Sequence, residues 1–111
     1  MLRTPLALGA AILALAVVAP AGPPRAQPAA AVVRIANFTF GPQTITVRVG
    51  STVTWTNDDD VPHTVRAVDG AFASKPLDTG DRFAFSFRTP GEHSYFCSIH
   101  PMMTGKVVVE G

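Results

Sequence analysis

Downstream of residue 31, apolar and polar positions alternate in short runs with a period of two. Phe83, Phe85 and Phe87 stand against Ala84, Ser86 and Arg88, and Ile45, Val47 and Val49 repeat the pattern. A strand sends successive side chains to opposite faces, so this alternation predicts strands with one buried face. The runs expected to form strands are 32–40, 44–49, 52–56, 63–68, 83–87, 92–97 and 106–109. Turn signals punctuate them: Gly41-Pro42, Gly50-Ser51, Asn57-Asp58-Asp59-Asp60, Asp69-Gly70 and Thr89-Pro90-Gly91. Residues 71–81 carry Pro76 and Gly80 without a sustained helical period, which predicts a long connection with at most one turn of helix. About seven short strands at this spacing predict an all-β fold, a Greek-key β-sandwich forming a single small domain over residues 32–111. Trp55, Phe38, Phe40, Phe72, Phe83, Phe85 and Phe87 supply its expected core.

The first thirty residues follow a different pattern. Met1-Leu2-Arg3 is a short basic start, residues 6–19 are an apolar run, and Ala19-Pro20-Ala21 offers a small-residue cleavage site. Residues 1–21 therefore read as a secretory signal peptide, and the protein as periplasmic or otherwise exported. The apolar run is shorter than the about 20 residues that a bilayer span needs and it leads into proline-rich sequence, so no stable membrane insertion is expected. Residues 22–31, with Pro23, Pro24 and Pro28 among alanines, read as a Pro/Ala-rich linker. Export changes the charge balance. The chain has nine basic and eight acidic residues, and loss of Arg3 leaves eight of each. A near-neutral domain lacks the basic stripe that nucleic acid or an anionic membrane demands, so neither is an expected partner.

Cys97 is the sole cysteine, which rules out an internal disulfide. An unpaired thiol in an oxidising compartment calls for intermolecular pairing, burial or metal ligation. Its surroundings, Tyr95-Phe96-Cys97-Ser98-Ile99-His100-Pro101-Met102-Met103, place a histidine three residues on and a methionine three beyond that. One compact loop can return those donors to a single ion, and Pro62-His63-Thr64-Val65 offers a second imidazole. Taken singly, each residue has an ordinary reading: a buried small hydrophobe, a hydrogen-bonded histidine, a gap-filling methionine. Taken together, a thiolate, imidazoles and a weak thioether favour copper over zinc, for which thioether sulfur is a poor partner. A regular strand over 92–97 would put His93, Tyr95 and Cys97 on one face.

These residues carry a resemblance. Thr52-Val53-Thr54-Trp55-Thr56-Asn57, then Pro62-His63-Thr64-Val65, then the stretch from Gly91-Glu92-His93 through Cys97 to Val107-Val108-Val109 match, in order, the blocks of the cupredoxins. Within that family the chain is most similar to the amicyanin, pseudoazurin and plastocyanin group. The resemblance implies a type 1 blue copper site with one copper per chain, held by His63, Cys97, His100 and Met103. The Cys-x2-His-x2-Met spacing is that of the short amicyanin loop and selects Met103 over Met102. It further implies a monomeric one-electron carrier working through Cu(I)/Cu(II), not an enzyme, with redox proteins such as a dehydrogenase donor and a c-type cytochrome acceptor as partners. A copper oxidase is disfavoured, because three histidines are too few for additional copper centres.

Two departures bear on how stiffly the ligand loop is held. Family members usually carry Asn where this chain has Thr64, and often Pro where it has Ile99; a looser loop would suit copper delivery or storage, the alternative function. His93 falls where relatives commonly have an aromatic residue, which predicts a packed rather than a ligating histidine. Met102 and Pro101 are expected to form an apolar patch around the edge of His100, the candidate electron port. Asp58, Asp59 and Asp60 read as solvated turn residues, with docking of a basic partner as the other use.

Overall fold

The computed structural model describes residues 30–111. The leader expected over 1–21 and the linker up to residue 29 lie outside the described residues. Eight strands follow in order: β1 (Ala30–Ala36), β2 (Thr39–Gly41), β3 (Thr44–Arg48), β4 (Thr52–Asn57), β5 (Arg66–Ala67), β6 (Arg82–Ser86), β7 (Gly91–Phe96) and β8 (Thr104–Glu110). They form two four-stranded sheets, ordered β2-β1-β4-β6 and β3-β8-β7-β5. Each sheet mixes directions: β1 runs parallel to β4 and β3 parallel to β8, while the remaining neighbours are antiparallel. The described residues contain no helix, and so none long and apolar enough to cross a membrane.

The alternation read in the sequence produces this sandwich directly. In β4, Val53, Trp55 and Asn57 turn inward while Thr52, Thr54 and Thr56 face out; in β8, Gly105, Val107 and Val109 are the buried set. Between the sheets Val33, Ile35, Trp55, Phe87, Tyr95 and Val107 are at most 1% exposed. Burying aromatic rings of this size removes much apolar surface from water, which a domain this small needs. Trp55 stands edge-on to Tyr95 at 5.3 Å between ring centroids. Gly105 makes that packing possible, because a Cβ there would overlap the Tyr95 ring on the neighbouring strand.

Three local features differ from the expectation. The run 32–40 is not one strand: Asn37 and Phe38 both take left-handed backbone angles, φ 50° and 57°, and fold the chain back as a β1–β2 hairpin. Two consecutive positive φ values match the right-handed twist of the flanking strands, which is why a two-residue turn adopts them. β1 also begins earlier than the expected domain start at residue 32. Ala30 and Ala31 pair with Thr52 and Val53, so they belong to the sheet rather than to the linker. The run 63–68 yields only the two residues of β5. Upstream of it the backbone is engaged by the 71–81 connection, which forms no helical turn: His63 and Leu77 exchange both backbone hydrogen bonds, and Ser74 N–H donates to the Val65 carbonyl.

Asn57 fixes where this long excursion leaves the sheet. Its buried amide donates to the carbonyls of Val61 and Leu77, and its Oδ1 accepts from the Asp59 N–H. Two of these bonds fall within the loop that carries His63 and the third ties it to the 71–81 connection, so the buried end of β4 sets that loop's path.

Candidate metal centre

The chain brings its donors to one end of the sandwich from two places. Cys97 follows the last residue of β7, His100 and Met103 lie in the loop that leads to β8, and His63 comes from the connection between β4 and β5. The metal-binding atoms of His63, Cys97 and His100 all lie within 4.8 Å of one another. Cys97 Sγ is 3.8 Å from His63 Nδ1 and 3.7 Å from His100 Nδ1. Bonds of about 2.0 Å to nitrogen and about 2.3 Å to sulfur, set about 120° apart around one ion, separate the donor atoms by about 3.7 Å. Both sulfur–nitrogen distances therefore match one ion shared by the thiolate and the two imidazoles.

Burial and hydrogen bonding hold that spacing. His63 and Cys97 are fully buried, Met103 is 5% exposed, and His100 is half-buried. Cys97 N–H donates to the Met103 carbonyl at 3.0 Å and Met103 N–H to the His100 carbonyl at 2.9 Å, so the loop closes on itself. Thr64 ties the two donor segments together. Its backbone N–H points at Cys97 Sγ at 3.3 Å, and its Oγ1 accepts from Ser98 N–H at 2.7 Å while pairing with the Ser98 hydroxyl at 2.7 Å. Ser98 supplies groups within reach of the short Thr64 side chain, so the two donor segments are bonded to each other. Burial pushes the Cys97 thiol up, but hydrogen bonds, that of the Thr64 N–H foremost, outweigh it and bring the thiol down to about 6. A site that stabilises thiolate is suited to a cation.

Two functional residues escaped the sequence. Asp59 is not a solvated turn residue: its Oδ2 accepts from His63 Nε2 at 2.9 Å and from Phe38 N–H at 3.0 Å. Those bonds to the Phe38 amide and His63 hold its carboxyl below the usual carboxylate range. Its neighbour Asp58 instead pairs with Arg34 at 2.8 Å near the surface. Phe38 is not a core residue either. It is 49% exposed at the hairpin turn, and its ring stands edge-on to both His63, at 5.4 Å, and His100, at 5.0 Å. The four-residue step from Asp59 to His63 was the signal available, though nothing in the acidic run distinguishes Asp59 from its neighbours.

The remaining candidates fall outside the donor cluster. His93 packs on Phe87 at 5.3 Å, and its Nε2 lies 2.8 Å from the Thr89 carbonyl. Met102 is 95% exposed and, with Phe38, Ile99, Pro101, Met103 and the edge of His100, lines an apolar depression of about 440 Å³ over the centre.

Residues 6–109 match the family model described as a cupredoxin-like domain. Amicyanin-alpha of Methylorubrum extorquens is 36% identical over 83 residues, covering 70% of this chain and 70% of that protein. A purple cupredoxin of Nitrosopumilus maritimus superposes with a TM-score of 0.68 at 40% identity, covering 72% of this chain and 99% of the other. An alanine variant of amicyanin at one methionine, described in its Cu(I) form, superposes with a TM-score of 0.67 at 37% identity over 73% of this chain and 82% of the other.

Proposed function

This chain belongs to the cupredoxin-like family, and on that premise we propose that it is an exported type 1 copper protein that carries one electron at a time between redox partners. His63, Cys97, His100 and Met103 are its ligands. The observation that carries the reading is Cys97 Sγ at 3.8 Å from His63 Nδ1 and 3.7 Å from His100 Nδ1, with Cys97 and His63 fully buried. Bound copper would supply the Cu(I)/Cu(II) couple.

The chain's own residues do the rest. Cys97 offers a thiolate already favoured by its hydrogen bonds, and a thiolate couples a metal strongly to the protein around it. The closed loop and the Thr64–Ser98 tie hold the imidazoles and the sulfur in one arrangement, which keeps rearrangement between oxidation states small. Met103, buried at the end of the loop, supplies the weak thioether. Phe38 and the apolar rim exclude water. The half-buried edge of His100 opens into the apolar depression and is the electron port. A partner docking there meets Met102, Ile99 and Pro101; a dehydrogenase-type donor and a c-type cytochrome acceptor fit the resemblance to amicyanin.

Copper delivery is the competing function, and the same tie argues against it, since a cargo site must loosen to release its ion. Protein-film voltammetry and transfer of Cu(I) to an acceptor apo-protein separate the two. A carrier gives fast reversible cycling and slow transfer, whereas sluggish cycling with rapid transfer would establish delivery. Export is checked by the N-terminus of the secreted protein, expected downstream of residue 21; retention of the whole leader in the cytoplasm would overturn it.

A further inference from the structure

We propose that Asp59 is a positioning residue for the metal centre: it fixes His63 as the Nε2–H tautomer, turns Nδ1 toward Cys97, and favours the more highly charged oxidised ion. The second part rests on the copper reading above; the first does not. A carboxylate oxygen only accepts, so the 2.9 Å contact places the imidazole proton on Nε2 and leaves the Nδ1 lone pair facing Cys97 Sγ. His63 is fully buried and the Asp59 side chain is 12% exposed, so little water competes for that bond.

Asp59 is itself held from three sides, twice through its main chain and once through its carboxylate. Asp59 N–H donates to Asn57 Oδ1 at 2.9 Å, the Asp59 carbonyl accepts from Thr79 Oγ1 at 2.6 Å, and Oδ2 also takes the Phe38 N–H. The same oxygen therefore anchors the left-handed residue whose ring covers both imidazoles. A negative charge on the far nitrogen of a ligating imidazole strengthens its donor nitrogen and stabilises the higher oxidation state. Among the described residues, His100 has no carboxylate of this kind.

Because both bonds fall on one oxygen, Asp59→Asn can keep the hydrogen bonds while removing the charge, and Asp59→Ala removes both. Long-range proton–nitrogen spectra of the full-length apo-protein report the tautomer without metal. Wild type and Asp59→Asn should show His63 as Nε2–H, and Asp59→Ala a mixture of tautomers. In the copper-loaded protein, Asp59→Asn should raise the equilibrium constant for reduction roughly tenfold, 59 mV for a one-electron couple. Nδ1–H or mixed tautomers in wild type, or a purely Nε2–H tautomer in Asp59→Ala, would overturn the positioning role. An unchanged or lowered potential in Asp59→Asn would overturn the electrostatic one. If wild type holds no copper, the proposed function fails while the apo-protein spectra still decide the role of Asp59.

Discussion

Thr64 binds the two donor segments with one backbone N–H and one hydroxyl. Removing the hydroxyl in Thr64→Val leaves the Ser98 N–H without its acceptor and frees the loop from the His63 segment. An unsatisfied partly buried donor costs on the order of 1–2 kcal/mol, which urea unfolding of the apo-protein should show. Copper loss to a chelator should also quicken several-fold, while Thr64→Ser should stay near wild type; equal rates in all three would remove Thr64 from the account. At this scale the Cys97–His100 pair was legible because the two residues stand three positions apart in one loop, so spacing alone brought their donor atoms together. Asp59 and Phe38 were not legible. Their contact spans 21 residues and exists only because the hairpin and the Asn57 loop converge, and one aspartate in a run of three carries no mark of it.

The strands were legible wherever the period of two persisted, as in β4, β6 and β8, and illegible where the backbone turned without glycine or proline. Asn37-Phe38 turns the chain inside an apolar run, and Phe is an uncommon residue at φ 57°. The parallel β1–β4 and β3–β8 pairs were equally hidden, since alternation fixes which face is buried but not which strand lies alongside. Contact between β7 and β8 depends on a missing side chain. Gly105→Ala drives a methyl group into the buried Tyr95 ring, so it should destabilise the fold by about 1–3 kcal/mol. A urea midpoint equal to wild type would mean that the two strands separate more easily than their packing implies.

For the molecule as a whole, the core carries one polar weakness. Tyr95 Oη and Trp55 Nε1 are buried without a well-formed hydrogen bond among the described residues. Burial pushes the Tyr95 hydroxyl up to about 12, against a smaller opposing pull from the Trp55 indole. The folded state therefore keeps a proton that the unfolded chain gives up from about pH 10. Stability from this group is fully present below pH 10 and is lost as pH rises toward 12, a fall of about 2–3 kcal/mol. Tyr95→Phe should match wild type at neutral pH and flatten that alkaline limb in thermal melts; an unchanged limb would place the loss elsewhere. The all-β class came through in the sequence because a period of two marks its strands, and the His63, Cys97 and His100 cluster because its residue types and spacing stand out. The second layer around the site did not, because it is assembled from separate loops far apart in the chain. The central claim is that this end of the sandwich is a thiolate copper centre, and titrating Cu(II) into the apo-protein while recording its visible spectrum tests it most directly. An intense thiolate-to-copper band that saturates at one equivalent and vanishes in Cys97→Ser is the predicted result, and a colourless or weakly bound product would contradict it.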